Sequence, residues 1–338
     1  MIKVYIGQLC PGYSHHPILY PNLGRVEKKS RLFLEKAFDI IKKPLVLVVE
    51  NMGEADFIML PHEYFAVEKE KAYLDGYIKM ARENDKKVLI FDWSDLDRPI
   101  DIPEAIVYRV SQYKSSMLSN VIVMPYFVED LGRFEPKRKS SIPSVGFVGY
   151  AGYRNIPHQV KQYFKDLLES GPRKSGLYWR KRVIKLIGKD SRIKSNFVIR
   201  LFYTPHRDTI KMDPDLARRE FLDNIQQSDF TLTPKGDANG SIRFFETLSF
   251  GRVPILIDTD CPLPLEGTID YDAFILRVDW KDIGSLSRRI VELYDSISDE
   301  QFVGMQIGAR HAFEQFLRAD KFFEHSFSTL KNKYIQAK

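Results

Sequence analysis

The sequence predicts an α/β protein of two domains, each built around a parallel sheet with helices on its faces. Short apolar segments alternate with amphipathic helical patterns along nearly the whole chain. The chain has 338 residues, which is long for one hydrophobic core and natural for two. A polar, basic segment at 129–144, with Pro136 and Pro143, separates the two halves.

The first domain is predicted at residues 1–135. Its apolar runs are short enough for buried strands and are bounded by Gly, Pro and Asp. The predicted strands are 4–9, 44–49, 57–60, 87–91, 105–110 and 120–124, and the predicted helices are 31–41 and 68–84.

The second domain is predicted at residues 145–310 and shows the same alternation. A basic helical segment at 173–194 and two consecutive helical patterns near its end belong to it. The predicted strands are 145–149, 197–202, 230–232, 253–257 and 273–278, and the other predicted helices are 159–168, 214–227, 241–251, 283–296 and 299–317.

The amino-acid composition limits the kinds of protein that this sequence can encode. No apolar stretch reaches the roughly 18 residues that a membrane span needs. The two cysteines, Cys10 and Cys261, are far apart and lack metal-ligand spacing, so we expect reduced thiols and a cytoplasmic protein. The net charge is +6, and it concentrates at 137–139 and 173–194. This charge fits a solvated helix face, an anionic substrate or peripheral binding to the inner face of an anionic membrane; no nucleic-acid motif accompanies it.

The segment 229–265 predicts an anion-binding βαβ unit. A strand leads into a glycine-bearing loop, and a helix follows with Gly240, Ser241, Arg243 and Glu246 at its start. Helix N-termini attract anions, Gly240 permits close approach of a phosphate, and Ser241 can cap the helix. Arg243 suits phosphate oxygens, and Glu246 can accept hydrogen bonds from a ribose. The same spacing also fits an ordinary surface ion pair between Arg243 and Glu246.

Other residues of the second domain are candidates for the same pocket. They follow predicted strands or lie in the segment that leads into the βαβ unit. These candidates are Gly149, Arg154, Arg218 and Lys235.

The string SDFTLTPKGD followed by GSIRFFETLSFGRVPILIDTDCPLPL resembles the core motif of exostosin-like glycosyltransferases. The matching positions include Pro234, Lys235–Gly236, Ser241, Arg243 and Glu246, with weaker echoes such as ADFIMLP at 55–61. The resemblance implies a GT-B fold, in which two Rossmann-like domains face a central cleft, and a C-terminal helix at 311–338 that packs back on the first domain. It also implies inverting transfer of a sugar, usually from a UDP-linked donor, to a saccharide or lipid-linked acceptor in polysaccharide or glycoconjugate synthesis.

An inverting transferase needs a base that deprotonates the acceptor hydroxyl, and in a GT-B protein the first domain holds the acceptor. Asp92 and Asp95 flank Trp93, whose ring suits a sugar face, and both follow a predicted strand. Glu63 and His15 occupy loops after other strands. Asp92 and Asp95 are the leading candidates, followed by Glu63 and His15, but the sequence alone does not identify the base.

Asp258 and Asp260 form a DxD pattern, which can hold a divalent cation. The exostosin-like motif has no metal role at this position, so we expect no metal and no other cofactor. Two alternatives stay open: a fucosyltransferase-like enzyme that uses a GDP-sugar, and a non-catalytic carbohydrate-binding protein on a GT-B scaffold.

Overall fold

The computed structural model describes residues 1–26, 34–132, 134–204 and 206–335. Its first sheet has six strands in the order β2-β1-β3-β4-β5-β6, and every neighbouring pair is parallel. Because the strands are parallel, their carboxyl ends share one edge, and the loops that follow them meet there. The strands are β1 Ile2–Tyr5, β2 Val46–Val48, β3 Phe57–Met59, β4 Val88–Asp92, β5 Ala105–Arg109 and β6 Val121–Val123.

The second sheet has five strands in the order β11-β10-β9-β7-β8, again all parallel. Strand β7 lies between β9 and β8, so the chain leaves the centre of this sheet and returns on both sides. The strands are β7 Ser144–Tyr150, β8 Lys194–Arg200, β9 Phe230–Thr233, β10 Val253–Asp258 and β11 Leu276–Asp279. The predicted α/β class with two parallel sheets is confirmed.

Helices cover the faces of both sheets. In the first half these are the single turn α1 (Tyr20–Leu23) and α2 (Lys71–Glu83). The helices of the second half are α3 Ile156–Leu168, α4 Gly176–Ile187, α5 Pro214–Gln227, α6 Ile242–Ser249, α7 Leu286–Ser296 and α8 Asp299–Ala312. The helix predicted at 31–41 falls partly outside the described residues; within them, Leu34–Phe38 is a 3-10 helix.

Several predicted boundaries differ from the observed ones: β1 spans Ile2–Tyr5 instead of 4–9, and β8 spans Lys194–Arg200 instead of 197–202. Two further differences have a local cause. The strand expected at 273–278 begins only at Leu276, because Tyr271–Ala273 forms a 3-10 turn closed by the Phe274 N–H on the Tyr271 carbonyl. The helix expected at 299–317 ends as an α-helix at Ala312 and continues as a π-helical turn, Phe313–Leu317. Arg318 is extended and separates this turn from the last helix.

The last helix, α9 (Ala319–Tyr334), packs against the first sheet. Its Phe323 and Phe327 rings contact the Tyr108 ring of β5, and Ser326 shares a 2.8 Å hydrogen bond with the Tyr108 hydroxyl. The chain therefore returns to its first domain after it has completed the second.

Candidate functional site

The segment that the sequence analysis singled out lies at the carboxyl edge of the second sheet. Strand β9 runs into the loop 234–241, and helix α6 starts directly after Ser241. Ser241 occupies the N-cap with extended backbone angles, but its hydroxyl makes no capping hydrogen bond. The expectation that Ser241 caps the helix through its side chain is therefore wrong. Helix α6 presents an N-terminus with the partial positive charge that all helix starts carry.

Arg243 turns from the first turn of α6 toward the end of β7. Its Nη2 donates to the Val148 carbonyl oxygen at 2.7 Å, and its guanidinium carbon lies 4.3 Å from the Phe147 ring centroid. The Nε–H is buried without a hydrogen-bond partner. Burial, followed by repulsion from Arg180, lowers the pKa of Arg243 to about 9. A charged group in this environment is stabilised by a nearby anion.

Arg180 approaches the same end of β7 from helix α4. It is 8% exposed, and its Nη1 donates to the Tyr150 carbonyl oxygen at 3.2 Å. Its Nε, like that of Arg243, is buried without a hydrogen-bond partner. Within the part of the chain that the structure describes, neither arginine forms a salt bridge with a carboxylate. Two guanidinium groups thus converge on one strand end without a salt bridge among the described residues, although the negative charge of Glu246 partly offsets the effect of burial on Arg243.

Gly149 lies between the two carbonyl groups that these arginines contact. Its φ is +152°, and a Cβ atom at this position would lie 2.8 Å from Nη2 of Arg243. The glycine therefore allows the guanidinium to reach the strand. Arg154 lies beside this strand end but is exposed, with its guanidinium 5.6 Å from the Tyr150 ring centroid.

Glu246 and Arg218 form a buried ion pair. Glu246 is 7% exposed, and its Oε1 accepts a hydrogen bond from Nη1 of Arg218 on helix α5. Arg218 also lies within 3.8 Å of Glu129. The alternative reading of the spacing, an ion pair between Arg243 and Glu246, is wrong, because Glu246 pairs with Arg218 instead. Arg218 thus positions Glu246.

Gly240 and Lys235 serve the contact between the domains. A Cβ at Gly240 would lie 2.5 Å from Cε2 of Tyr126 in the first domain, so the missing side chain makes room for this ring. Lys235 is buried and its ammonium group donates to the Tyr113 hydroxyl at 2.9 Å and to the Pro172 carbonyl oxygen at 2.8 Å. Burial lowers the pKa of Lys235 to about 8. The expectation that Lys235 faces a phosphate directly is therefore wrong, whereas the approach of a phosphate to the Gly240 backbone stays a prediction.

Asn239 ties the same loop to the first domain. Its backbone N–H donates to the Ser111 hydroxyl at 3.1 Å, and its side-chain amide donates to the Gln112 carbonyl at 2.9 Å. Asp260 crosses the same boundary, since its Oδ2 accepts from the Ser115 backbone N–H at 3.1 Å. Asp258 accepts from the Cys261 N–H at 3.0 Å and pairs with Arg277 at 3.3 Å. Both carboxylates of the DxD pattern are thus engaged by the protein.

Asp92 was the leading candidate base, together with Asp95, and the structure contradicts it. Its side chain and that of Arg109 are both fully buried, and Arg109 Nε donates to Asp92 Oδ2 at 2.8 Å. The other oxygen accepts from the Ser94 N–H at 3.0 Å. Burial raises the pKa of Asp92. The residue orders the loop after β4 and is closed to an acceptor.

His15 and Glu63 lie in the loops after β1 and β3. His15 is 8% exposed, and its Nε2 is 2.8 Å from the Gly24 carbonyl oxygen. The backbones of His15 and His62 form an isolated antiparallel bridge, and His62 in turn accepts from the Cys10 N–H at 2.9 Å. Glu63 is half-buried at the start of a turn. These loops form a hydrogen-bonded unit of the first domain.

Asp95 is the exposed candidate among the four. Burial, followed by the negative charge of Asp95, raises the pKa of Tyr126, whose ring packs on Gly240. Among the four candidate bases, Asp95 therefore combines solvent access with an electrostatic effect on a ring that contacts the loop before α6.

Arg180 is the main residue that the sequence analysis missed as a site residue. It was counted in the basic segment 173–194 as one charge among many. A signal was present: Arg180 falls three residues after Leu177 and three before Val183, both of which are buried core residues of α4. A charged residue on the apolar face of a helix indicates a buried role.

Comparison with known proteins finds similarity to one segment in the second half of the chain. Residues 189–293 match the model of the exostosin GT47 domain. A relative, the exostosin-1 homolog of Caenorhabditis elegans, is 34% identical over 102 residues, which cover 30% of this chain and 26% of that protein. The chain thus aligns with about a quarter of this relative. The resemblance to exostosin-like glycosyltransferases is confirmed over this segment.

Two solved structures resemble the whole fold more distantly. The alignment with TarM covers 82% of this chain and 54% of TarM, at 10% identity and a TM-score of 0.41. HepE of Anabaena, solved in complex with UDP-glucose, covers 98% of this chain and 100% of its own at 10% identity and a TM-score of 0.38.

Proposed function

We propose, from the premise that residues 189–293 form an exostosin GT47 domain, that this protein is a glycosyltransferase. It transfers a sugar from a nucleoside diphosphate sugar to a hydroxyl of a saccharide or lipid-linked acceptor. We propose a uridine nucleotide as the donor's carrier, in keeping with the family resemblance. The product belongs to polysaccharide or glycoconjugate synthesis.

The observation that carries this proposal is the pair of arginines at the end of β7. Arg180 and Arg243 each keep a buried Nε–H without a hydrogen-bond partner, and the charge of each disfavours the other. A diphosphate supplies acceptors for both and cancels their repulsion. The N-terminus of α6 adds partial positive charge on the same side. This arrangement can neutralise the leaving diphosphate without a metal ion.

The nucleoside can use neighbouring side chains. Glu246, held by Arg218, offers carboxylate oxygens to the ribose hydroxyls. The Tyr150 and Tyr203 rings lie 4.8 Å apart beside Arg180 and provide apolar surface for the base. We assign these roles from the positions of these side chains and from the contacts that a carboxylate or an aromatic ring can make with a nucleoside.

In the proposed reaction, Asp95 takes the proton from the acceptor hydroxyl. The acceptor oxygen then attacks the anomeric carbon from the face opposite the diphosphate, and the bond to the diphosphate oxygen breaks with its electron pair. This displacement inverts the anomeric carbon. The developing charge on the diphosphate is stabilised by Arg180 and Arg243.

The test is release of nucleoside diphosphate from a panel of uridine and guanosine diphosphate sugars, with and without saccharide acceptors. Arg243→Ala is compared with Arg219→Ala, which removes an exposed arginine from helix α5. We expect turnover with one donor, unchanged turnover in Arg219→Ala, and a loss of about a hundredfold or more in Arg243→Ala. Equal turnover in wild type and in a folded Arg243→Ala variant would overturn the proposal.

A further inference from the structure

Helix α3 exposes its apolar face to solvent, which is the reverse of the usual orientation of a helix that packs on a soluble core. Its apolar residues recur three or four positions apart and so share one face. All of them are 48% to 86% exposed, and α3 contributes no buried residue to either core. These exposed residues are Ile156, Val160, Tyr163, Phe164, Leu167 and Leu168.

The polar side of α3 faces the protein instead. His158 Nε2 lies 3.2 Å from the Tyr150 hydroxyl, and Asp166 Oδ1 accepts from the Ser175 N–H at 3.0 Å. The Asp166 carbonyl oxygen also accepts from Lys174 Nζ at 2.5 Å. The helix is therefore held by hydrogen bonds, while its apolar face points to solvent.

The edge strand β8 and the residue that follows it also expose apolar side chains. Val198, Ile199 and Leu201 are each more than 40% exposed, and Leu201 follows the end of β8. A Cβ at Gly152 would lie 2.4 Å from Cδ2 of Leu201, so the end of β8 contacts the entry to α3. An apolar surface of this kind marks an interaction site.

The distribution of charged residues around α3 indicates which kind of partner its apolar face binds. Residues 154–194 contain twelve Lys or Arg and three Asp or Glu, whereas the rest of the chain has 39 basic and 42 acidic residues. The excess positive charge of the protein therefore belongs to this segment. Several of these side chains are exposed: Arg154, Lys161, Lys165, Arg182, Lys185 and Lys189.

We propose that α3 binds the surface of an anionic lipid bilayer, with its apolar face in the interfacial region and the basic side chains against lipid phosphates. An exposed apolar helix face beside clustered Lys and Arg is the pattern of interfacial helices. In the described ranges no helix is long and apolar enough to cross a bilayer, and α3 has only 13 residues. It therefore lies on the bilayer rather than across it.

This docking places the proposed donor site near the lipid surface. The first turn of α3 bonds Tyr150, whose carbonyl oxygen accepts from Arg180. A lipid-linked acceptor is then presented beside the sugar donor. The docking itself does not depend on the reaction, and its test does not measure turnover.

The experiment is flotation of the full chain with vesicles of phosphatidylglycerol and phosphatidylcholine, compared with vesicles of phosphatidylcholine alone. The variant is Phe164→Ser/Leu167→Ser/Leu168→Ser. The matched control, Leu47→Ser/Met117→Ser/Ile307→Ser, removes three apolar side chains that are 42% to 50% exposed and far from α3 in sequence. Neither variant should lower the unfolding midpoint appreciably, since the changed side chains are exposed.

We expect wild type and control to bind the anionic vesicles and the α3 variant to bind at least tenfold more weakly, which is about 1.4 kcal/mol. Binding should also weaken at high salt and in Lys161→Glu/Lys165→Glu. Undiminished binding of the α3 variant, or no binding by wild type, overturns the proposal. A wild-type dimer that the α3 changes abolish, without vesicle binding, shows that a second copy covers the face instead.

Discussion

Gly149 and Arg243 depend on each other: the guanidinium occupies the space that a side chain at Gly149 would need, with 2.8 Å between Nη2 and an ideal Cβ. Arg243 is thereby fixed on the Val148 carbonyl oxygen at 2.7 Å. The strand and the helix thus place one charge jointly at the candidate diphosphate site.

Gly149→Ala should weaken nucleoside diphosphate binding, because the methyl group displaces the guanidinium and a φ of +152° strains any other residue. We expect at least a tenfold rise in Kd by calorimetry and a loss of stability of about 1–3 kcal/mol. Gly76→Ala, in open space on α2, is the control and should be neutral or stabilising. Wild-type affinity in a folded Gly149→Ala variant would contradict the role of this contact.

Arg180→Ala should lower nucleoside diphosphate affinity by about ten- to a hundredfold, the loss of one charge-assisted hydrogen bond. Arg180→Lys should recover only part of it, because an ammonium group lacks the planar fork of the guanidinium. Arg182→Ala changes an exposed residue of the same helix and serves as the reference. If Arg180→Ala binds as tightly as Arg182→Ala, the diphosphate does not contact Arg180.

Glu246→Gln separates recognition of the ribose from recognition of the phosphates. It should weaken UDP binding and leave inorganic pyrophosphate binding unchanged, because only the ribose hydroxyls need the carboxylate. It should also destabilise the fold by about 1.5–3 kcal/mol in urea unfolding, since it weakens a charge-assisted hydrogen bond of Arg218, which keeps its 3.8 Å contact with Glu129. Equal losses for UDP and pyrophosphate would show that Glu246 acts on the arginines.

Asp95→Asn should lower turnover, whereas Asp92→Asn should lower stability. Asp95→Asn removes the proposed base, so turnover should fall by a factor of about 100 to 10,000 while donor affinity and stability persist. Asp92→Asn breaks a fully buried pair with Arg109 and should cost about 3–5 kcal/mol of stability. Full turnover in Asp95→Asn would direct the search for the base to Glu63.

Lys235 should make stability depend on pH. Its pKa is lowered by burial from 10.5 to about 8 in the folded protein, so the unfolded chain binds more protons between these values. The free energy of unfolding should therefore rise by up to about 3 kcal/mol between pH 8 and 10.5, because the folded protein no longer has to bury a charged ammonium group. The unfolding free energy of wild type minus that of Lys235→Met should therefore rise over this window. A difference independent of pH would show that Lys235 stays charged.

The sequence allowed the fold to be predicted well where local patterns decide it. Helix α5 begins and ends as predicted, since Asp213 caps it, Pro214 starts it and Ser228 is extended. The π-helical turn at Phe313–Leu317 was missed, because the periodicity of apolar residues continues through it. Such changes depend on packing against other elements and leave no local signal.

The candidate site could be predicted only where its residues lie close together in the sequence. Arg243 and Glu246 share one helix, so their spacing placed them together. Lys235 and Gly240 lie in the same segment, yet Tyr113 and Tyr126 of the first domain occupy their surroundings. Contacts between residues more than a hundred positions apart cannot be read from a single sequence. Asp92 was misjudged because its partner Arg109, 17 positions away, lies on the neighbouring strand, and the pairing of strands is not visible in the sequence.

The most direct test of the central claim is calorimetric titration of UDP, GDP and CMP into wild type, Arg180→Ala and Arg243→Ala. The account predicts that one nucleoside diphosphate binds wild type, that CMP binds more weakly for lack of the second phosphate, and that each variant loses at least tenfold in affinity while it remains folded. If no nucleotide binds wild type, or if a diphosphate binds both variants as tightly as wild type, the assignment of the two arginines to a donor diphosphate is wrong.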